Sequence, residues 1–484
     1  MTITTALHWI DGAWIDSGTH RDSVDPASGT VIGRYADGGE AVAELAIASA
    51  RTAFDTGNWK HDASLRAKVL DELAASFERH EEALIEQLAL ENGKVRAEAR
   101  FEVTMVPSKL RFYAALARAE RGHSGTPRPD VLSVVVREPM GVAGIIVPWN
   151  SPVVLLIRSL GPALAAGVTT AIKMPGQTAQ TNSLVARVIS EAPSLPRGVI
   201  NLFNESGAEG AKLLVASPAV PVISFTGSTA TGRAISAVAA QRIKRVGLEL
   251  GGKTPHLVFD DANLDAVLPI LEKSLTVFAG QFCMTGSRLL VQRGVAAQVR
   301  EGLSRRLEAV RVGPAADPAS DMGPLIDKPN VARVDAMVEQ AIAAGARVIA
   351  RGGPVREGAL AKGAFYRPTL LEVTDPKLPI VQQEVFGPVL TLQVFDTEEE
   401  AVALANDSEY GLAAGVWTQE VHRAMRVARA VQAGTVWIND WAKVYDEFEE
   451  GGYKQSGLGR LNGVAAIDDF VEYKHITLNT GHVS

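Results

Sequence analysis

Cys283 is the only cysteine among 484 residues. It lies in AGQFCMTGSRLLV (279–291), between a flexible Gly280-Gln281 step and a β-looking run from Ser287 to Val291. A thiolate at that connection would be a nucleophile, which needs a stabilised negative charge and usually a base. The other reading is a small inert core residue, the commoner place of a free cysteine. No histidine stands near it in sequence, which weakens a Cys/His pair, and nine scattered histidines give no zinc-ligand spacing, so no metal is expected. Two further side chains carry chemistry at strand ends. Glu249, in LELGGK (248–253), either ends a strand where a cleft opens or is a surface or salt-bridged carboxylate, and the paired glycines after it point to tight backbone at a site. Asn150, in IIVPWNSP, either donates to a developing oxyanion or caps the helix that Pro152 opens.

Those three residues need a scaffold that brings distant strand ends together. Residues 41–118 read as helical, with apolar residues at three- and four-residue intervals in LRAKVLDELAASFERHEEALIEQLAL. From 142 to 252 short Val/Ile runs (VAGIIVPWN, TTAIKMP, GVINLFN, VPVISFTG) alternate with amphipathic stretches, the pattern of a doubly wound parallel sheet. A second α/β region starts after Gly251-Gly252 and continues through GLAAGVWT and GTVWIND to about residue 440. The segments 121–139 and 468–483 have strand character but fit neither half. They are expected to pair with each other and with another subunit.

Bulk properties narrow the classes. The length calls for two or three domains. Apolar content of 46%, 21% charged residues and a net charge of −7 are ordinary for a globular enzyme. No basic stripe with interleaved aromatics argues for nucleic acid, and no run approaches the ~18 apolar residues of a membrane span. The start, MTITTALHWIDGAW, has no basic stretch followed by an apolar one, so no signal peptide is read. With a lone cysteine, this leads to an expectation of cytoplasmic placement.

A GxGxxG fingerprint is absent. FTGSTATG (225–232) instead places Gly227, Ser228 and Gly232 at a strand-to-helix turn, where backbone N–H groups suit a pyrophosphate, although a plain tight turn has the same pattern. Lys173 ends a strand in AIKMP, positioned for a ribose or phosphate unless it is an ordinary strand-end lysine.

Taken in order, VPWN, IKMP, FTGS, ELGGK, GQFC, EVFGPV and GGYKQSGLGR, together with IDGAW and the NGK at 92–94, resemble the aldehyde dehydrogenase superfamily from about residue 8 to 475. The resemblance implies a modified Rossmann NAD(P)-binding domain (1–120 and 140–251), an α/β catalytic domain (252–440), and bridging strands (121–139 and 462–484) that make homodimers or homotetramers. It implies Cys283 as nucleophile, Asn150 as oxyanion donor and Glu249 as the base that hydrolyses a thioester. Contacts to NAD or NADP fall on Ile146, Trp149, Lys173, Gly176, Gly227, Ser228, Leu250, Glu384 and Phe386.

Several positions depart from the family pattern. Gly176 stands where a glutamate commonly meets the adenosine ribose, and the loss of that carboxylate is expected to admit NADP+. Ser159 and Leu461 replace a lysine and a glutamate, so both members of a charge pair are missing together. Around the substrate, Ser151 and Glu450 stand where aromatics are common. Arg158 either binds an anionic group or is neutralised by Glu450, and neutralisation is the reading adopted. Phe282, Met284, Trp441 and Tyr445 are expected to complete an apolar pocket for a medium-sized or aromatic aldehyde. The alternatives are a semialdehyde with an anionic group, a relative that passes the acyl group to coenzyme A, and a non-catalytic paralogue.

Overall fold

Val- and Ile-rich runs separated by helices order themselves into two mainly parallel sheets. In the computed structural model, which describes residues 4–119 and 122–481, the first sheet has eight strands. Their spatial order is Gly457–Leu458, Arg245–Glu249, Val222–Thr226, Val142–Ile146, Thr169–Pro175, Ile200–Glu205, His8–Ile10 and Ala13–Ile15. The five from Arg245–Glu249 to Ile200–Glu205 run parallel, with antiparallel strands closing both edges. From Val142–Ile146 the chain steps outward through 169–175 and 200–205, then returns to the other side for 222–226 and 245–249. Strand order therefore reverses between Val142–Ile146 and Val222–Thr226, and a crevice opens at their carboxyl ends.

The helical N-terminal part covers this sheet. Leu70, Leu73 and Phe77 of Ala63–Arg79 pack with Val103, Val106 and Leu110 of Arg96–Ala119 in one core with the sheet and the Pro152–Ala166 helix. That last helix carries proline at its first position and ends on Gly167 in the left-handed region (φ 96°), as helix termini favour.

The second sheet has seven strands in the order Arg347–Ala350, Thr369–Glu372, Val389–Phe395, Arg288–Gln292, Pro255–Val258, Ala413–Trp417 and Thr435–Ile438. All pairs are parallel except the first. Its Arg288–Gln292 strand follows the Cys283 loop.

In a third sheet Val471–Asn479 lies antiparallel along Val131–Pro139, which pairs on its other side with His123–Arg128. Tyr473, Ile476 and Leu478 are exposed on it. The expected domain and bridging ranges run past this sheet and the chain ends: residues 1–3, 120–121 and 482–484 lie outside the described residues. Among the described residues no helix is long and apolar enough to cross a membrane.

Candidate functional site

The loop that carries Cys283 is strained and clamped. The Leu264–Thr276 helix runs into three successive left-handed residues, Phe278 (φ 51°), Ala279 (φ 54°) and Gly280 (φ 73°). For the two residues with a Cβ this costs on the order of 1–2 kcal/mol each, and such strain persists only where the surroundings dictate it. Here they do. The Gln281 amide donates to Phe278 O (3.0 Å) and accepts from the Ile326 N–H (2.9 Å). Thr285 Oγ1 donates to Gly280 O (3.2 Å), and the Trp441 indole N–H donates to Met284 O (3.1 Å). A Cβ on Gly280 would stand 2.4 Å from the Gly387 carbonyl carbon. The Gly280-Gln281 step read as flexible is thus a fixed corner, because glycine there allows close backbone contact.

The thiol is half-buried, and burial pushes its pKa up to about 12, with the Arg158 charge opposing and those of Glu450, Glu384 and Glu249 reinforcing. Of these charged groups Arg158 and Glu450 line the same cavity as the sulfur. Glu249 ends its strand opposite Thr226 and is buried. Its Oε1 has no hydrogen-bond partner among the described residues. Burial pushes its carboxyl up to about 8, partly countered by Arg158 and reinforced by Glu450. The glycines after it serve close approach. A Cβ on Gly252 would sit 2.3 Å from Cys283 O, and one on Gly251 would sit 2.6 Å from Glu384 Oε2.

Asn150 is buried in the turn between Val142–Ile146 and the Pro152–Ala166 helix. It does not cap that helix. Glu102 does so from a distance, accepting the N–H groups of Val153 (2.9 Å) and Val154 (3.3 Å). The Asn150 amide donates to Gln281 O (3.0 Å), tying the two strand-end loops together and leaving its second N–H for another acceptor. The NGK segment braces this turn. Asn92 donates to Trp149 O (2.7 Å), while Lys94 pairs with Glu102, donates to Ser151 Oγ (2.9 Å) and lies 3.7 Å from the Phe278 ring centroid. Nothing local in NGK signals this bracing, which depends on residues brought in by folding.

On one side of Cys283 lie the strand ends of the switch point. Ile146 pairs with Lys173 across parallel strands, and Gly176 follows. Ser228 caps the Thr229–Ala240 helix, its Oγ accepting from the Thr231 N–H (3.2 Å), and no acidic residue occupies the first turn. Gly227 donates to Glu249 O (2.9 Å), and Leu250 is anchored on Ser456 O (2.9 Å). Glu384 accepts the Gly252 N–H (3.1 Å), and burial pushes its carboxyl up to about 7. Phe386, itself left-handed (φ 52°), meets Trp149 edge-on at 5.6 Å. An acid-free helix N-terminus suits a phosphate group, and a half-buried lysine two strands away in the same sheet suits a ribose or phosphate. A carboxylate near the thiol suits a hydroxyl-bearing ribose, so the residues present fit a dinucleotide. At Gly176 a Cβ would meet Tyr35 Oη at 2.5 Å, so the tyrosine hydroxyl fills the place of the missing side chain. Asp37, held by Ser206 and Arg21, lies nearby and its charge reaches Lys173.

On the other side Cys283 and Asn150 line a cavity of about 350 Å³. One wall is aromatic, with Phe278, Phe282 and Trp441 in successive edge-to-face contacts at 5.7 and 6.0 Å. Buried Met284 also lines it. The opposite wall is polar: Arg158 donates to Glu450 Oε1 (2.9 Å), both buried, so the neutralised pair is the arrangement found. Ser159, at the place of the absent lysine, accepts a hydrogen bond from Ser224 (3.0 Å), and Leu461 is simply buried. Tyr445 requires a correction. It does not line the cavity but is 58% exposed against Phe448, because in this irregular segment the next residue, Asp446, makes the inward contact with buried Lys109.

A half-buried thiol on a clamped loop and a buried carboxylate at the switch point of a doubly wound sheet suit a thiol-dependent reaction of an α/β enzyme. The comparisons are more specific. The profile of the Aldehyde dehydrogenase family matches residues 14–476. Betaine aldehyde dehydrogenase of Bacillus subtilis (strain 168) is 38% identical over 476 residues, covering 98% of this chain and 97% of the relative. 2-Hydroxymuconic semialdehyde dehydrogenase of Pseudomonas sp. (strain CF600) is 36% identical over 479 residues, covering 97% and 98%. A crystal structure of betaine aldehyde dehydrogenase from Staphylococcus aureus in complex with NAD+ matches with a TM-score of 0.96 at 35% identity, covering 99% of this chain and 95% of that one. The chain belongs to the aldehyde dehydrogenase family.

Proposed function

We propose that the protein oxidises an uncharged, medium-sized or aromatic aldehyde to its carboxylic acid with NAD+ or NADP+. The observation that carries this reading is the convergence of Cys283 and Asn150 on one cavity, with the Glu249 charge reaching the same sulfur. The Cys283 thiolate adds to the carbonyl carbon, and the free Asn150 N–H with the Cys283 backbone N–H takes the oxyanion. Each such donor is typically worth about 10²–10³ in rate. The oxidised nicotinamide, when bound, supplies a hydride acceptor and a positive charge that favours the thiolate. Loss of hydride leaves a thioester on Cys283. Glu249 then takes a proton from water, hydroxide adds to the acyl carbon, and collapse releases the acid and the thiolate. Lys173 and the N-terminus of the Thr229–Ala240 helix would hold the cofactor phosphates, and Glu384 a ribose hydroxyl.

The charge state of the cavity supports an uncharged substrate. Each carboxylate lining it already faces a cation: Glu98 with Lys273 (2.9 Å), Glu102 with Lys94, Glu450 with Arg158. A second reading, an aldehyde bearing a quaternary ammonium group, is favoured by the three aromatic rings, which attract cations, and by the names of the Bacillus and Staphylococcus relatives. The exposed Val471–Asn479 edge would pair subunits into dimers or tetramers, and a lone cysteine suits a reducing cytoplasm. NAD(P)H absorbance with a panel of aliphatic, aromatic, quaternary-ammonium and carboxylated aldehydes tests the reading. Free acid and NADH should form one to one without coenzyme A. Turnover only with coenzyme A present would replace it by acyl transfer.

A further inference from the structure

The polar wall of the cavity is a connected string that ends on Glu450. Lys109 donates to Asp446 Oδ1 (2.5 Å) and to Asn462 Oδ1 (2.6 Å). Asn462 Nδ2 donates to Glu450 Oε2 (3.0 Å), and Glu450 Oε1 accepts from Arg158 (2.9 Å). The far side of the guanidinium reaches Thr226 Oγ1 (3.4 Å), while its Nε–H has no partner among the described residues. The Glu450 backbone is fixed as well, exchanging both hydrogen bonds with Leu461 (2.7 and 2.8 Å). Arg158, Glu450, Asn462 and Lys109 are all buried, and all face the cavity that holds Cys283. A carboxylate placed this rigidly does more than fill space. It occupies the one guanidinium in the wall that a carboxylated substrate would seek, and presents its own negative charge in that position.

We infer that Glu450 is a specificity-determining residue, which captures Arg158 and so reserves the cavity for uncharged aldehydes. This rests on the oxidation reading above. It also separates the chain from what the name of its Pseudomonas relative describes, since a semialdehyde of that kind carries a carboxylate. Removing the Glu450 charge while keeping its shape would leave Arg158 free to pair with a substrate carboxylate, a charge-assisted bond that discriminates by about 10- to 100-fold.

The test compares 4-carboxybenzaldehyde with its uncharged isostere 4-carbamoylbenzaldehyde, with NAD+ and NADP+ each as cofactor and kcat/KM read from NAD(P)H absorbance. The wild-type protein should favour the amide by about 10-fold or more. Glu450→Gln, whose amide keeps the size and can still accept from Asn462, should raise the carboxylate-to-amide ratio about 10- to 100-fold. The double variant Arg158→Met/Glu450→Leu should lose that gain, which a merely structural role for the pair would not produce. Three results would overturn the assignment: wild-type preference for the carboxylate, an unchanged ratio in folded Glu450→Gln, or an equal gain in the double variant. If Glu450→Gln fails to fold, the double variant is compared with the wild type, and a rise of its carboxylate-to-amide ratio by about 10-fold or more, with Arg158 gone, overturns the assignment. Absence of NAD(P)H from every aldehyde and both cofactors would overturn the oxidation reading itself, and this assignment with it.

Discussion

The two sides of Cys283 are built in different ways. The side proposed for the cofactor is built mainly on backbone features: strand ends, a helix N-terminus, and glycines that admit close contact at Gly251 and Gly252. The side proposed for the substrate is made of side chains from three segments, around Lys109, Arg158 and the paired stretch 450–462, tied to one another by side-chain hydrogen bonds. A backbone site is fixed by topology, so the same crevice recurs wherever the strand order reverses. A side-chain site is set by single residues and changes with them. Chemistry and cofactor use should therefore resist conservative change, while substrate choice should shift with one or two substitutions.

The largest expected effect lies at the junction of the two sides. Cys283→Ala should lower kcat by at least about 10⁴-fold, because no other thiol can replace it. Residual turnover near the wild-type rate, measured as NAD(P)H formation, would remove the thiol from the reaction. Next comes Asn150→Ala, which removes one oxyanion donor and a tie to Gln281 O. A loss of about 10²–10³ in kcat is expected, with cofactor Kd little changed if the cofactor side stands independently.

The pH profile sharpens the division. Burial lifts the Glu249 carboxyl to about 8, so below that pH the base is mostly protonated and hydrolysis is slow. With thioester hydrolysis limiting, kcat should rise about tenfold per pH unit up to about 8 and then level. A profile flat between pH 6 and 8 would mean that another group, or another step, controls the rate. The smallest effect concerns the cofactor. Gly176 removes a carboxylate, and NADP+ should be used within about 100-fold of NAD+ in kcat/KM. Asp37 lies near the same corner and opposes a 2′-phosphate, so a larger preference for NAD+ would assign discrimination to Asp37.

The same contrast explains what the sequence made legible. Strand-end motifs are contiguous, so VPWN, FTGS and ELGGK announced both the doubly wound sheet and the places of Asn150, Ser228 and Glu249. Cys283 stood out by being alone. The substrate wall was only half visible: Arg158 and Glu450 could be paired on charge, but Asn462 and Lys109, which lock Glu450, carry no local signal. Tyr445 went astray because an irregular loop has no periodicity to say which way a side chain faces. The Gly280-Gln281 step went astray because glycine permits both mobility and close contact, and only the Gly387 backbone across from it decides which.

The proposed chemistry turns on a buried carboxylate that hydrolyses an acyl group held on the lone thiol. Glu249→Gln, mixed with a good aldehyde substrate and the oxidised cofactor, tests it most directly. The expected result is a burst of one NAD(P)H per site, a steady rate about 10²–10⁴-fold below wild type, and an acyl group found on Cys283 by intact-mass and peptide analysis. Wild-type turnover without a burst, or an acylated protein with Cys283 unmodified, would contradict it.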